Sequence, residues 1–361
     1  MLFYVGVALL VGCTPRPAVR IGVLADLSGR NAYFTTDGRN GVFLAAERIN
    51  QAGGIRGRRI ELVLQDSGDG TGKDLEAAQA LLATGVDLVI GPFSSVAAAR
   101  LAPVFSQARV LLLCPTSTDV TLAGRDDYLL RLNRSTRDSA QDYAKVLYAR
   151  GLRRLAMALD MRNASNSASW QRDFGRAYAA LGGTVVATAA FGVPSAPPVH
   201  AIVRTLLAAR PDGLMFVANG VDAARLAQQA AKLGSTLPMA APDWADSQSL
   251  LEQGGRAVEG MLLASASRLV DDTPRYRSFR QAYRERFGSE PSYRSIGAYD
   301  AVMVVAQALS RAEPGEPVRD AVLRHGAYQG LQQTITFDAF GDAARTAYYM
   351  VVRDGRFEPL P

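Results

Sequence analysis

At 361 residues with 48% apolar content, the chain is too long for one ordinary core and too apolar to be disordered, which suits two lobes. Its 8% aromatic content and 33 glycines fit an alanine-rich α/β protein. The +6 formal charge rests on scattered arginines in short groups such as Arg58-Arg59 and Arg153-Arg154, with no basic run interleaved with aromatics, which argues against nucleic acid as a partner.

Residues 1–13, MLFYVGVALLVGC, are apolar through Val11, uncharged before Cys13 and too short to span a bilayer as a helix. They read as the hydrophobic part of an export signal without its basic leader. Leu10-Val11-Gly12-Cys13 resembles a bacterial lipobox, which implies that Cys13 is lipidated, and Thr14-Pro15-Arg16-Pro17 is linker-like. Thr14 stands where an aspartate marks inner-membrane retention in many Gram-negative bacteria, so the outer membrane is favoured for the anchor. Cys114, the other cysteine, follows Leu111-Leu112-Leu113 and reads as a small buried apolar group.

From Val19 onward, short apolar runs alternate with amphipathic stretches. Val19–Leu24 reads as a strand and Gly41–Gln51 as a helix with Val42, Ala45, Ala46 and Ile49 on one face. Ile60–Gln65, Val86–Ile90 and Val110–Leu113 read as strands, with Lys73–Ala83 and Val96–Gln107 as helices. This order is what a parallel sheet covered by helices requires. A second series begins near Arg137, with helices at Asp138–Ala149, Trp170–Leu181, Val199–Ala209 and Val221–Leu233. Its strands are Arg154–Leu159, Thr184–Ala189, Gly213–Val217 and Leu237–Ala240. In the tail, Gly260–Ala264 reads as a strand and Pro274–Phe287, Ile296–Leu309 and Val318–His325 as helices. Thr334–Phe337 and Thr346–Val352 then read as antiparallel pieces around Gly341-Asp342, with Asp342 a turn residue.

The motifs of common enzyme chemistries are missing. The sequence has no GxGxxG fingerprint after the first strand, no Walker sequence, and no HExxH, CxxC or GxSxG. His200 and His325 are the only histidines, which leaves little for a zinc site, a Ser-His-Asp triad or an activated Cys114. Hydroxyls, glycines and aromatics instead recur at the carboxyl ends of apolar strands, the edge where open parallel sheets bind ligands. Leu24 is followed by Asp26, Ser28 and Gly29, Ile90 by Ser94 and Ser95, and Leu113 by Thr116, Ser117 and Thr118. Val217 is followed by Asn219 and Gly220, and the 237–240 strand by Asp243 and Trp244. Helix N-terminal amides and a serine hydroxyl hold a carboxylate without an arginine. Asp243 and Asp26 are candidates for receiving an ammonium, and Tyr33, Trp170, Trp244 and Tyr299 for an aromatic wall. Each also has a plainer reading. Ser28 and Ser94 suit turn or helix caps, and Tyr299 suits a core.

The segments IGVLADLSG, AAERINQAGGIRGRRIELVLQDS, VIGPFSSVAAARLAPVFSQARVLLLCPTST, GLMFVANG, SIGAYDAVMVVAQAL and ITFDAFGD resemble the leucine/isoleucine/valine-type, branched-chain amino acid family of ABC-transporter substrate-binding proteins. The likeness runs from about Val19 to the C-terminus. It implies a type I periplasmic-binding fold, α/β, with two doubly wound parallel-sheet lobes, three hinge crossings and a ligand cleft. The first lobe is expected to take residues 19–133 and about 262–328, and the second 134–261 and about 329–361. It also implies transport without catalysis, metal or cofactor, by a monomer that delivers a small solute to an inner-membrane ABC permease.

Carried over residue by residue, the family's α-carboxylate site falls on Ser95, Ser117 and Thr118. The acid meeting the α-ammonium becomes Asp243, with Trp244 shaping the side-chain pocket, and the tyrosine opening a second-lobe helix corresponds to Trp170, expected as a lid. Two departures put the particular solute in doubt. Leu113-Cys114-Pro115-Thr116-Ser117-Thr118 replaces Ile-Ser-Pro-X-Ala-Thr, and Ala218-Asn219-Gly220 replaces an aromatic cluster. Relatives also bind amides, urea or aromatic acids. The expected function is an extracytoplasmic receptor for an amino acid or amino-acid-like solute. A sensory module of the same fold and a structural envelope lipoprotein stand as alternatives.

Overall fold

A computed structural model describes residues 16–28, 32–68, 72–268 and 271–360. The lipobox and Cys13 lie outside these residues, as does the side chain of Tyr33.

The first lobe forms from β1 (Val19–Ala25), α1 (Ala32–Gln51), β2 (Ile60–Asp66), α2 (Lys73–Ala83), β3 (Leu88–Ile90), α3 (Ser95–Ala108), β4 (Leu111–Cys114) and β5 (Leu129–Arg131). Its five strands are all parallel, in the order β2-β1-β3-β4-β5. Alternate side chains feed opposite faces, as a pleated strand requires. Ile21, Val23, Ile90 and Leu113 enter one core, and Leu24, Val89, Leu112 and Cys114 the other. The Cys114 thiol is buried, contacts the Gly91 carbonyl at 3.2 Å, and is pushed well above the usual thiol range by burial.

The second lobe is built by α4 (Thr136–Ala149), β6 (Arg154–Asp160), α5 (Ala164–Ala180), β7 (Thr184–Phe191), α6 (Val199–Ala208), β8 (Gly213–Val217), α7 (Gly220–Lys232), β9 (Met239–Ala241), α8 (Gln248–Gly254) and β10 (Leu262–Ser265). The chain then returns to the first lobe through α9 (Pro274–Phe287), α10 (Tyr293–Arg311) and α11 (Val318–Arg324). A small sheet of β11 (Tyr328–Gln329), β12 (Thr334–Phe337) and β13 (Ala343–Ala344) packs on that same core. Finally β14 (Tyr348–Arg353) and β15 (Arg356–Pro359) join the second sheet, ordered β15-β14-β10-β9-β8-β6-β7, antiparallel only at its β14 and β15 edge.

Four expectations need correction. β10 pairs with β9 and β14, so Leu262–Ser265 belongs to the second lobe, and the crossing lies beyond Ser265. Tyr328, Leu331, Ile335 and Ala343 enter the first core, so the last crossing lies after β13 and not near residue 329. β12 and β14 are not antiparallel partners, because they belong to different sheets. Asp342 is more than a turn residue: it accepts Arg131 Nε at 2.8 Å and so ties the turn to β5. β10 pairs with β14 some way along the chain, and a linear pattern does not report which sheet a short strand enters.

α1 and α10 pack face to face, and α10 has Ile296, Ala298, Val302 and Val305 fully buried. Close approach needs Gly41, where a Cβ would sit 2.2 Å from the Ser295 carbonyl oxygen. Gly91 meets the same constraint at φ 112°, its virtual Cβ 2.2 Å from the Leu24 oxygen, so the chain turns sharply off β3 toward α3.

Candidate functional site between the lobes

Ser94 caps α3, accepting the Ala97 amide at 3.3 Å, and this leaves Ser95 as the first residue of the helix. Ser95 is buried at the carboxyl end of β3, and the adjacent β4 delivers Ser117 and Thr118 to the same point. Ser95 Oγ accepts the Thr118 amide at 3.3 Å and the Ser117 hydroxyl at 3.4 Å. Two neighbouring strand ends therefore converge on one polar cluster at a helix N-terminus, an arrangement suited to an anion.

The second lobe closes against this cluster. Thr118 Oγ1 donates to Asn166 Oδ1 at 2.8 Å while accepting the Thr136 hydroxyl at 3.1 Å. Ser169 on α5 donates to Asp119 at 3.3 Å. Asp243 opens a single 3-10 turn after β9, and its carboxylate accepts Asn133 Nδ2 at 3.1 Å. Burial pushes the Asp243 carboxyl above its ordinary range, and the Asn133 hydrogen bond and the positive charge of Arg294 only partly oppose this. Arg294, buried in the first turn of α10, donates to the Trp244 carbonyl at 3.4 Å. Its charge also reaches Asp37 and Asp246.

Beside the cluster lies a cavity of about 230 Å³. Phe93, Ser94, Val96 and Ala97 bring the first lobe to it, Trp244 and Asn163 the second, and Arg294 forms part of its border. Asp26 also lines it, and the Asp26 backbone carbonyl accepts the Thr35 hydroxyl. Trp244 borders the cavity.

Three expected wall residues are placed elsewhere. Trp170 is 1% exposed and packs edge-on to Tyr143 at 6.3 Å in the second-lobe core, bordering only a crevice of about 10 Å³ with Asn133 and Asp243. It is no lid, because α5 starts six residues earlier, at Ala164, and Trp170 falls in its buried second turn. Tyr299 is a core residue edge-on to Phe279 at 4.9 Å. Asn219 caps α7: it accepts the Asp222 amide at 2.9 Å and donates to the Asp222 carboxylate at 2.8 Å. Ser28 is exposed and hydrogen bonds to Asp66, which suits a turn.

Sequence reasoning missed Arg294, Asn166 and two residues that line the cavity, Asp74 and Asn163. All four lie at or near helix starts, where a polar residue reads as a cap or a solvated face. Arg294 alone left a signal, as a charge inside the small-residue stretch YRSIGAYDAV.

Among the described residues, no three His, Cys, Asp or Glu side chains cluster as a metal site, and no helix is long and apolar enough to cross a membrane.

A family model for periplasmic binding proteins matches residues 18–356. The Leu/Ile/Val-binding protein homolog 2 of Brucella abortus is 24% identical over 365 residues, covering 94% of this chain and 91% of that one. The branched-chain amino acid transporter substrate-binding protein LivJ of Streptococcus pneumoniae, solved with isoleucine, superposes with a TM-score of 0.86 at 25% identity. That match covers 94% of this chain and 98% of LivJ. A solute-binding protein of R. palustris, solved with benzoate, gives the same TM-score at 16% identity and covers 95% of each chain. With both parallel-sheet lobes in place and the family model spanning nearly the whole chain, the protein belongs to the periplasmic binding protein family.

Proposed function

We propose that this chain is an extracytoplasmic solute-binding lipoprotein that captures an amino acid, or a small amino-acid-like solute, between its lobes and presents it to the permease of an ABC transporter. The observation that carries this reading is the convergence of Ser95, Ser117 and Thr118 at two adjacent strand ends, with Asp243 on the opposite lobe. The hydroxyls and the α3 amides suit a carboxylate, and Asp243 supplies the negative charge an ammonium requires. The Leu/Ile/Val-binding relatives and the isoleucine-bound LivJ support the same chemistry. Lipidation of Cys13 would hold the receptor at the membrane surface, with the residues before Val19 as its tether.

Thermal denaturation of the purified protein against amino acids, amides, urea and aromatic carboxylates tests the reading, since a solute that binds only the folded state must raise its apparent stability. A concentration-dependent rise with an amino-acid class is expected, together with its loss in Asp243→Asn. A rise confined to solutes without an ammonium keeps the receptor and removes Asp243 from its role. No response, once copurified ligand has been removed, overturns the reading.

A further inference from the structure

Where the chain enters the first lobe, it meets arginine. Residues 16–18 run beside the turn that leads into β2, and the Val19 amide donates to the Arg59 carbonyl at 2.8 Å. Arg16 Nη1 donates to the Arg56 carbonyl at 2.9 Å. Arg58 reaches back with Nε to the Pro17 carbonyl at 2.7 Å and with Nη2 to the Ala18 carbonyl at 3.1 Å. Arg56 extends to the end of α10, with Nε on the Ser310 carbonyl at 3.0 Å and Nη1 on the Ala312 carbonyl at 2.7 Å. Arg16, Arg56 and Arg59 are exposed.

These bonds fix the charges in place without cancelling them, because their acceptors are neutral carbonyls. Among the described residues, Arg20 alone of Arg16, Arg20, Arg56, Arg58 and Arg59 stands within ion-pair reach of a carboxylate, that of Glu61 at 3.7 Å. Asp87 accepts the Arg20 amide at 2.7 Å, and Arg311 and Glu313, on either side of Ala312, offset each other. Five guanidiniums therefore meet two carboxylates at this corner. The solute cavity is at the other end of the lobe. β1 starts at the corner with Val19, and Asp26, just past its carboxyl end, lines the cavity, so a strand of roughly 20 Å separates the two.

A partner for this corner must be anionic and must reach the place where the chain enters the lobe. Cys13 precedes Arg16 by three residues, a span of at most about 11 Å. A lipid on Cys13 would hold the corner close to one Debye length, ~8–10 Å, from a bilayer surface, where basic side chains still feel anionic headgroups. We propose that Arg16, Arg20, Arg56, Arg58 and Arg59 seat on anionic phospholipid, so that the receptor stands with the amino edge of its first lobe on the bilayer and its cleft a strand length away. This rests on the lipidation of Cys13 proposed above and adds which face of the protein then meets the membrane.

The test reconstitutes the full chain, purified from membranes in detergent, into vesicles of phosphatidylcholine alone or with about one third phosphatidylglycerol. The rate at which phenylglyoxal modifies each arginine is then read by mass spectrometry. On the anionic vesicles at low salt, Arg16 and Arg59 are expected to react at least fivefold more slowly than on the neutral ones and to recover in high salt. Arg204, exposed on α6 of the second lobe, is expected to change less than twofold. Arg59→Glu, at an exposed side chain, is expected to remove most of the protection of Arg16. Equal rates on both vesicles, with the protein held on each, overturn the proposal and leave the anchor standing. Protein that washes off neutral vesicles but holds to anionic ones, with Arg16 and Arg59 protected, removes the anchor and keeps the corner. Protein that washes off both overturns both. Protection shared equally by Arg204, or found only when membrane proteins are added to neutral vesicles, overturns the proposal in favour of nonspecific adsorption or a protein partner.

Discussion

Thr118 has one hydroxyl proton and two claims on it. In the closed cleft it goes to Asn166 Oδ1, yet a solute carboxylate seated on the Ser95 cluster needs the same donor. On the proposed carboxylate reading, Asn166 stands in for a ligand oxygen, and binding exchanges one acceptor for another that carries full charge. Hydrogen bonds to charged groups contribute about 1.5–3 kcal/mol, against about 1 for neutral ones, so the exchange favours the carboxylate. Thr118→Val preserves the shape and removes the proton. It is expected to weaken a carboxylate solute roughly tenfold to a hundredfold in a titration, the range those energies imply. An unchanged dissociation constant would remove Thr118 from the site. Asp243 is in a similar position, because the Asn133 amide and the Arg294 charge already address it. An incoming ammonium adds to that partnership without having to create it.

Two elements carry charges whose burial sets measurable stabilities. Arg131 at the end of β5 is 1% exposed, and its guanidinium is divided between Asp342 and the Asp119 carbonyl. Asp342→Ala strands that charge and is expected to cost about 3 kcal/mol in urea denaturation, the lower end for breaking a buried pair because one partner remains. Asp246, just before α8, bonds to the β10 residue Ser265, and burial pushes it up to about 7 despite that bond and the nearby Arg294. Its folded pKa is raised above the unfolded value, so the folded state holds the proton more tightly. Stability should then fall as pH rises from about 4 to about 7, by on the order of 1 kcal/mol per pH unit. Melting of wild type and Asp246→Asn across that window checks it, and parallel curves would show that Asp246 does not titrate there.

The elements also show what a linear pattern reveals. β3, β4 and β8 are unbroken apolar runs ending at turn residues, so their burial on both faces was legible. The first halves of α1 and α5 were not, because Thr35, Asp37, Asn40, Asn166 and Ser167 face polar neighbours and leave no apolar period to find. Strand ends drew attention to Ser95, Ser117 and Thr118 because similar chemistry recurs on two separate strands. Asp74 and Asn163 each occur once, at a helix start, and nothing in the linear pattern marks them as lining one cavity.

For the molecule as a whole, the question is what holds the lobes together before a solute arrives. Beyond the hinge-side Thr136–Thr118 contact, the side-chain contacts across the cleft near the cluster among the described residues include Thr118 with Asn166, Asp119 with Ser169, Asn133 with Asp243, and Arg294 with the Trp244 carbonyl. A neutral bond of this kind is worth about 0.5–1.5 kcal/mol net and one to a charged group about 1.5–3, and two of the charged ones exceed 3.2 Å, so their sum is of the same order as the freedom lost when three linkers stop flexing. Closure without a solute is therefore finely balanced. A solute shifts that balance only through contacts that exist in the closed form, and a ligand touching both the Ser95 cluster and Asp243 makes such contacts by construction. Small-angle scattering of ligand-stripped protein is expected to show a larger radius of gyration than the closed form described here, falling toward it as solute is added. Asn166→Ala removes one unliganded contact and should widen the starting ensemble further while preserving the endpoint. If stripped protein already scatters as the closed form and solute changes nothing, the cross-cleft contacts suffice alone, and binding would have to wait on spontaneous opening.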